Sequence, residues 1–406
     1  MAIDGTCASD FAAVREELER NLAERGEVGA SVCVTVDGET VVDLWGGVAE
    51  PATGRSWERD TLTHVWSATK GATALCAHML ASRGELDINA PVVRYWPEFG
   101  KHGKEAILVR HLLNHQAGLP ALRTPLPPGA FYDWKVMTEA LADEEPFWAP
   151  GTRNGYHALT FGFLVGEVVR RVSGQSLGQF FRENVAGPLG LDFWIGLPEE
   201  HESRVAPTIP VDMTASDLAV PSLYMMAFGD PTSIPGLMLV NSGGFMTTPG
   251  ESDSRAAHAA EMGAIGGITN ARGLAGMYRP LALGGGDLVS ADQLAIMGAV
   301  SSSTSVDAVL LVPTRFALGF VKAADNGYLP PNDSEGVLTS EEAFGHIGMG
   351  GHFGFADPRA KVSFGYAMNQ QGIGLALNAR GQSLVYAVYR CIGYHRVGDR
   401  GVWYAP

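Results

Sequence analysis

Apolar residues recur every three to four positions between Asp10 and Arg25, at Phe11, Val14, Leu18 and Leu22, and this spacing predicts an amphipathic helix. The period then changes. GASVCVTVDGETVVDLWGG holds two β-rich runs joined by Asp37-Gly38, a dipeptide suited to the tight turn of a hairpin. After Ser67 helical and loop-like patterns prevail for about two hundred residues, with VRHLLNHQ and LTFGFLVGEVVRRVSG as helices. Strand signals return in RFALGFVKA, GGHFGFADP and AKVSFGYAMN, and GQSLVYAVYRCIGY predicts a closing helix. Residues 229–254, GDPTSIPGLMLVNSGGFMTTPGESDS, are rich in Pro, Gly and Ser and read as a long surface loop.

Strands at both ends with helices between them predict an α+β fold, in which an antiparallel sheet is flanked by helices and carries a mostly helical inserted domain. The expected division joins 1–66 with 286–406 in one discontinuous domain and gives 67–285 to the insertion. The 406 residues suffice for a large core. Their net charge of −15 argues against nucleic acid or an anionic membrane as partner, since both recruit clustered Lys and Arg. The first twenty residues lack the basic and apolar regions of a secretory signal, and no apolar run reaches the ~18 residues of a membrane helix. Cys7, Cys33, Cys76 and Cys391 lie far apart. Together these features predict a cytoplasmic protein with free thiols.

One lysine breaks the pattern. HVWSATKGATAL sets Lys70 among small and apolar residues in what reads as a buried helix, and lysine is seldom buried without a partner. Ser67, three positions earlier, would share its helix face. Burial lowers a lysine pKa, and the neutral amine can then take a serine proton, so the two are a candidate nucleophile and base. The bland alternative is a lysine that reaches solvent beside an incidental serine, because S-x-x-K alone is common. PGTRNGYHALTFGFLVGEVVRR places Tyr156 after a Gly-rich loop and before an apolar helix. FGHIGMGGHFGFADP offers a Gly-rich strand edge where backbone N–H groups can approach a substrate. Taken alone, Tyr156 reads as a buried tyrosine with a satisfied hydroxyl.

SATKG, LLNHQAGLP, PGTRNGYHALTFGFLVGEVV, GPLGLD and FGHIGMGGHFGFADP, in this order over most of the chain, resemble the serine β-lactamase-like family. The nearest branch is the family VIII carboxylesterases, which are similar to class C β-lactamases and penicillin-binding proteins. The resemblance implies a discontinuous α/β domain and a helical domain with the site in the cleft between them. It implies Ser67 as nucleophile, Lys70 as its base partner, and Tyr156 as the group that shares the proton and later activates water. The implied oxyanion hole is the backbone N–H of Ser67 and of Met349. His346-Ile347-Gly348 takes the K-T-G place, which puts His346 and Gly348 in substrate binding. No metal or organic cofactor is implied.

Two departures from that pattern shape the expected substrate. Tyr156-His157-Ala158 lacks the asparagine of Y-x-N, and His346 replaces the lysine that would hold a β-lactam carboxylate. Both favour a small-molecule ester. An acyltransferase using the same acyl-enzyme and a β-lactamase or D-peptidase stay open, as does a non-catalytic acyl-binding sensor, against which Tyr156 speaks. Gly174-Gln175-Ser176-Leu177-Gly178 matches G-x-S-x-G, but the nucleophile elbow needs a strand before it, and a helical run precedes Ser176. Ser176 therefore reads as a helix-connecting residue. His111 and His115 have zinc-compatible spacing with no carboxylate to complete a set. Residues 284–287, GGGD, read as a turn.

Overall fold

The protein is described here by a computed structural model covering residues 3–212, 218–374, 376–397 and 401–406. Large and small residues alternate along two of the late strands. In His352–Asp357, Phe353 and Phe355 alternate with Gly354 and Ala356; in Val362–Met368, Phe364 and Tyr366 alternate with Ser363, Gly365 and Ala367. Successive side chains point to opposite faces of a sheet, so this pattern makes one bulky face and one thin face, both buried. The sheet runs in the order Ile3–Cys7, Glu39–Glu50, Gly29–Val36, Val362–Met368, His352–Asp357, Phe344–Gly348, with every neighbour antiparallel. Asp37 (φ 50°) and Gly38 (φ 88°) make the expected tight turn of the first hairpin.

The bulky face is covered by the first and last helices, Ala12–Glu24 and Ala379–Cys391. Val14, Leu18, Leu384 and Val388 pack there on Val32, Phe355 and Phe364. The thin face is covered by the helix Ala271–Ala282, which the division at residue 285 had assigned to the insertion. Glycine explains the closeness. A Cβ at Gly365 would lie 2.1 Å from Ala271 O, and one at Gly354 would lie 2.8 Å from the Tyr278 ring. A sheet buried on both faces needs a cover on each, and this helix supplies it on the thin side.

The helices Thr69–Ser82, Val109–Leu113, Trp134–Asp143, Phe161–Ser173 and Leu177–Phe181 gather around the largest core, in which Leu75, Leu113, Phe161, Leu164 and Val168 are buried. A small sheet of Trp194–Ile195, Gly267–Thr269, Leu62–His64 and Val205–Ala206 leads the chain into this helical part. Two expectations need correction. RFALGFVKA supplies only Arg315 and Phe316 to a strand, Thr314–Phe316, which pairs with Ser302–Thr304 in a two-stranded ribbon; a bridge from Val321 to Gly345 links the segment to the main sheet. Residues 229–254 are not a surface loop throughout, because Ile234–Val240 is a helix and Met238 and Phe245 are buried. Pro235 sits in its first turn, where the missing N–H costs nothing, and the Ser233 hydroxyl accepts the Gly236 N–H at 3.1 Å as a cap.

On the bulky side a buried polar cluster ties the last helix to the first strands. Arg380 Nη1 lies 3.2 Å from Glu27 Oε1, and the Tyr366 hydroxyl donates to Glu27 Oε2. Burial pushes the Glu27 carboxyl up, while Arg380 and Tyr366 oppose the shift. Replacing the cation (Arg380→Met) is expected to cost about 3–5 kcal/mol of stability near pH 8, because it leaves the buried Glu27 carboxylate without its counter-charge. A carboxyl whose pKa is raised by folding is stabilised by taking up a proton, so the loss should shrink as pH falls toward about 5. Urea unfolding of both proteins at the two pH values measures it.

Candidate active site

The strand Leu62–His64 ends two residues before a strained turn. Trp66 is left-handed (φ 49°), its ring stacked on His64 at 4.5 Å and edge-on to Phe245 at 6.1 Å. Thr69 Oγ1 secures the turn, donating to Trp66 O at 2.5 Å and accepting the Gly267 N–H at 2.8 Å. Such outliers persist only where the surroundings hold them. The helix begins at Thr69, so Ser67 lies in the turn just before it and not inside it as the sequence suggested. The three-residue relation to Lys70 survives because Ala68 is already helical (φ −59°, ψ −21°) and the Lys70 N–H donates to Ser67 O at 3.0 Å.

Lys70 is fully buried. Its Nζ lies 3.0 Å from Ser67 Oγ, 2.7 Å from Ala158 O and 3.0 Å from Ala264 O. Burial alone pushes the amine well below the usual lysine range. A neutral amine has two N–H bonds and one lone pair, so giving its N–H bonds to the two carbonyls would leave the lone pair for the Ser67 hydroxyl. The Tyr156 ring lies 4.8 Å from the same Nζ. Burial raises the Tyr156 phenol above the ordinary range, and the neighbouring Ser67 hydroxyl opposes the shift. Its ring is stacked between Phe316 (5.9 Å) and His346 (6.1 Å).

Asp307 fixes the backbone of Tyr156, and the sequence reading missed it. This fully buried carboxylate accepts the N–H groups of Tyr156, Val309 and Leu310, each at 2.9 Å, and the Thr314 hydroxyl at 3.3 Å. Its signal was the one that singled out Lys70, a lone charge in an apolar run, here SVDAVLLVPT. His157 turns away from Ser67: Nδ1 donates to Gly155 O at 2.7 Å and Nε2 accepts the Leu119 N–H at 3.0 Å. His115 follows the helix that holds His111, with φ 65°, and its Nδ1 accepts the His157 N–H at 3.2 Å. These histidines brace the Tyr156 segment.

The edge strand Phe344–Gly348 closes the site from the other side. A Cβ at Gly348 would lie 2.1 Å from Val65 O, so glycine alone lets the strand come this close to the Ser67 turn. His346 is buried, with Nδ1 2.9 Å from Ile347 O and no partner for Nε2. Burial first, then the neighbouring Lys70, lowers its pKa to about 3, so the ring is neutral at physiological pH. Among the described residues, the backbone N–H of Ser67 and of Met349 meets no acceptor in hydrogen-bond geometry. Ser67, Tyr156, His346 and Met349 line one cleft that opens to solvent. Its walls are mostly apolar, with Leu223, Tyr224, Met238, Leu239 and Met246 supplied by the region 218–254.

Ser176 lies outside this cleft. It caps the helix Leu177–Phe181, accepting the Gln179 N–H at 3.2 Å and donating to Glu261 Oε1 at 2.7 Å. A helix ending at left-handed Gly174 precedes it, not a strand. Gly284, Gly285 and Gly286 all have positive φ and form a turn.

Residues 14–385 match the family model described as Beta-lactamase. The chain belongs to the β-lactamase family. It is 36% identical over 356 residues to "Esterase/beta-lactamase LipL" of Mycobacterium tuberculosis (strain ATCC 25618 / H37Rv), covering 84% of this chain and 77% of that protein. A solved family VIII carboxylesterase is 38% identical with a TM-score of 0.83, covering 96% of this chain and 100% of that one. A penicillin-binding protein homologue from Caulobacter crescentus is 34% identical with the same TM-score, again over 96% and 100%. The α+β arrangement of this β-lactamase-family member is therefore that of its solved relatives. Among the described residues, no helix is long and apolar enough to cross a membrane.

Removing the Asp307 carboxylate (Asp307→Ala) leaves three buried N–H groups without an acceptor. The expected cost is at least about 1–3 kcal/mol in thermal or urea unfolding. Asp307→Asn keeps one acceptor oxygen and should recover part of that loss.

Proposed function

We propose that this protein is a serine hydrolase that cleaves small carboxylic esters through an acyl-enzyme. The observation that carries the reading is the buried Lys70 amine, whose Nζ lies 3.0 Å from Ser67 Oγ and within hydrogen-bond reach of two carbonyls. Ser67 Oγ attacks the ester carbonyl while its proton passes to Lys70, with the neutral Tyr156 hydroxyl relaying it. The oxyanion forms against the free N–H groups of Ser67 and Met349. The alcohol departs with the relayed proton, and water then attacks the acyl-enzyme by the same route, returning the hydroxyl to Ser67. Every step uses groups of this chain, and the reading assigns no role to a metal or cofactor.

The esterase names of relatives support this reaction class, and the name of LipL keeps β-lactam hydrolysis in view. The cleft itself favours esters. A β-lactam carries a carboxylate that a lysine would pair with, whereas His346 is neutral and Ala158 has no side-chain amide.

Ser67→Ala should reduce turnover of p-nitrophenyl butyrate by about three orders of magnitude or more, with circular dichroism unchanged. A fluorophosphonate should label Ser67 and not Ser176, as read by peptide mass spectrometry. Because Lys70 acts as the neutral amine, the labelling rate should rise with pH through its lowered pKa and level off well below the ordinary ~10.4. An adduct on the peptide containing SGQSLG would overturn the assignment.

The ratio of kcat/KM for p-nitrophenyl butyrate to that for nitrocefin should exceed one by a wide margin. Ala158→Asn with His346→Lys should lower it. A wild-type ratio below one would put a β-lactamase or peptidase first.

A further inference from the structure

The few charged groups on the cleft wall are mostly occupied. Asp333 accepts the Ser222 N–H at 2.9 Å and the Ser222 hydroxyl at 2.5 Å, which ties down the helix Ser222–Gly229. Arg315 is paired with Glu341 at 2.5 Å, and Lys322 feels the same Glu341. Glu335 differs. Its Oε2 accepts the Ala376 N–H at 3.2 Å, and among the described residues Oε1 meets no donor and no cation is paired with it. The carboxylate is seated by shape, since a Cβ at Gly374 would lie 1.7 Å from Oε2. It sits close enough to Tyr224 for its charge to help raise that phenol, and the Tyr224 hydroxyl donates to Met349 Sδ at 3.6 Å. This wall therefore leads to the N–H group proposed to face the reacting carbonyl.

An unpaired carboxylate in an apolar wall carries a desolvation cost that a ligand cation would relieve and a ligand anion would worsen. The Tyr224 ring beside it adds a π face suited to an ammonium group. We infer that Glu335 forms an ammonium subsite of the cleft, so that the enzyme takes esters bearing a cationic amine in preference to esters bearing a carboxylate. The substrate part of this inference rests on the ester-hydrolase reading, whereas the binding part does not.

Burial raises the Glu335 carboxyl to about 7, so its charge appears as pH rises through neutrality. The groups facing it are Tyr224, raised to about 12, Asp333, occupied by Ser222, and Arg380, paired with Glu27. Across the cleft His346 is already neutral and Lys322 releases its proton only at about 8. Between about pH 5.5 and 7.5 the larger change on this wall is that of Glu335, with Lys322 beginning to lose its proton at the upper end.

Two measurements test the subsite. Calorimetric binding of butylammonium and of butanol involves no ester chemistry; at about pH 7.5 the wild type should bind the cation about tenfold more tightly, and Glu335→Gln should erase that preference. The second compares kcat/KM among a neutral, a trimethylammonium-bearing and a carboxylate-bearing ester, with the charge placed on the acyl side in one set and on the alcohol side in the other. The cationic-to-anionic ratio should fall about tenfold or more in Glu335→Gln for at least one set. Equal binding of the two probes by the wild type, or a preference kept by Glu335→Gln, overturns the inference. Should the variant fail to fold, the wild-type preference must weaken from about pH 7.5 to 5.5, and a constant preference overturns it. Loss of all ester turnover with the butylammonium preference intact would instead sink the hydrolase reading and leave the subsite standing.

Discussion

A lysine amine sealed from water with no counter-charge is costly as an ammonium ion, by several kcal/mol, and tolerable as a neutral amine whose N–H groups are met. Lys70 is in the second condition. The two carbonyls that meet it belong to Ala158 and Ala264, which lie far from it and from each other in the sequence. The segment around Tyr156, the segment before Gly267–Thr269 and the Ser67 turn must therefore converge within hydrogen-bond reach of one nitrogen. Asp307, His115 and His157 hold the first of these segments, and the Thr69 hydroxyl holds the other two together. Much of the polar order in the interior serves this one amine.

The sheet and the site share a second device, the removal of side chains where backbones must meet. Gly354 and Gly365 let the helix Ala271–Ala282 settle on the thin face, and Gly348 lets the edge strand reach Val65. Backbone N–H groups make rigid donors because no rotamer has to be frozen to aim them. The same glycine pattern thus closes the core and brings the edge strand that precedes Met349 against the Ser67 turn.

Relatives named for esterase, β-lactamase and penicillin-binding activity share this architecture, so discrimination among substrates falls to the cleft wall. Here the wall is apolar, its histidine is kept neutral by burial, and Glu335 is the carboxylate left without a cation. The proposed ammonium subsite would give such a wall a preference for neutral or cationic groups over anions.

Local spacing determined what the sequence could reveal by itself. The first and last helices, the Asp37-Gly38 hairpin and the oddity of Lys70 beside Ser67 are written in residue types a few positions apart, because side-chain periodicity and turn conformation are short-range properties. The tertiary structure decided the rest. The side taken by Ala271–Ala282 depends on glycines far away in the sequence, Gly354 and Gly365, and the helix Ile234–Val240 was hidden by Pro and Gly residues that usually mark loops. The Lys70 acceptors are main-chain carbonyls, which every residue carries, so no letter in the sequence marks them. The role of Asp307 rests likewise on three backbone N–H groups. Backbone dipoles acquire a function only when folding brings them together, and that convergence is a long-range event that residue spacing does not encode.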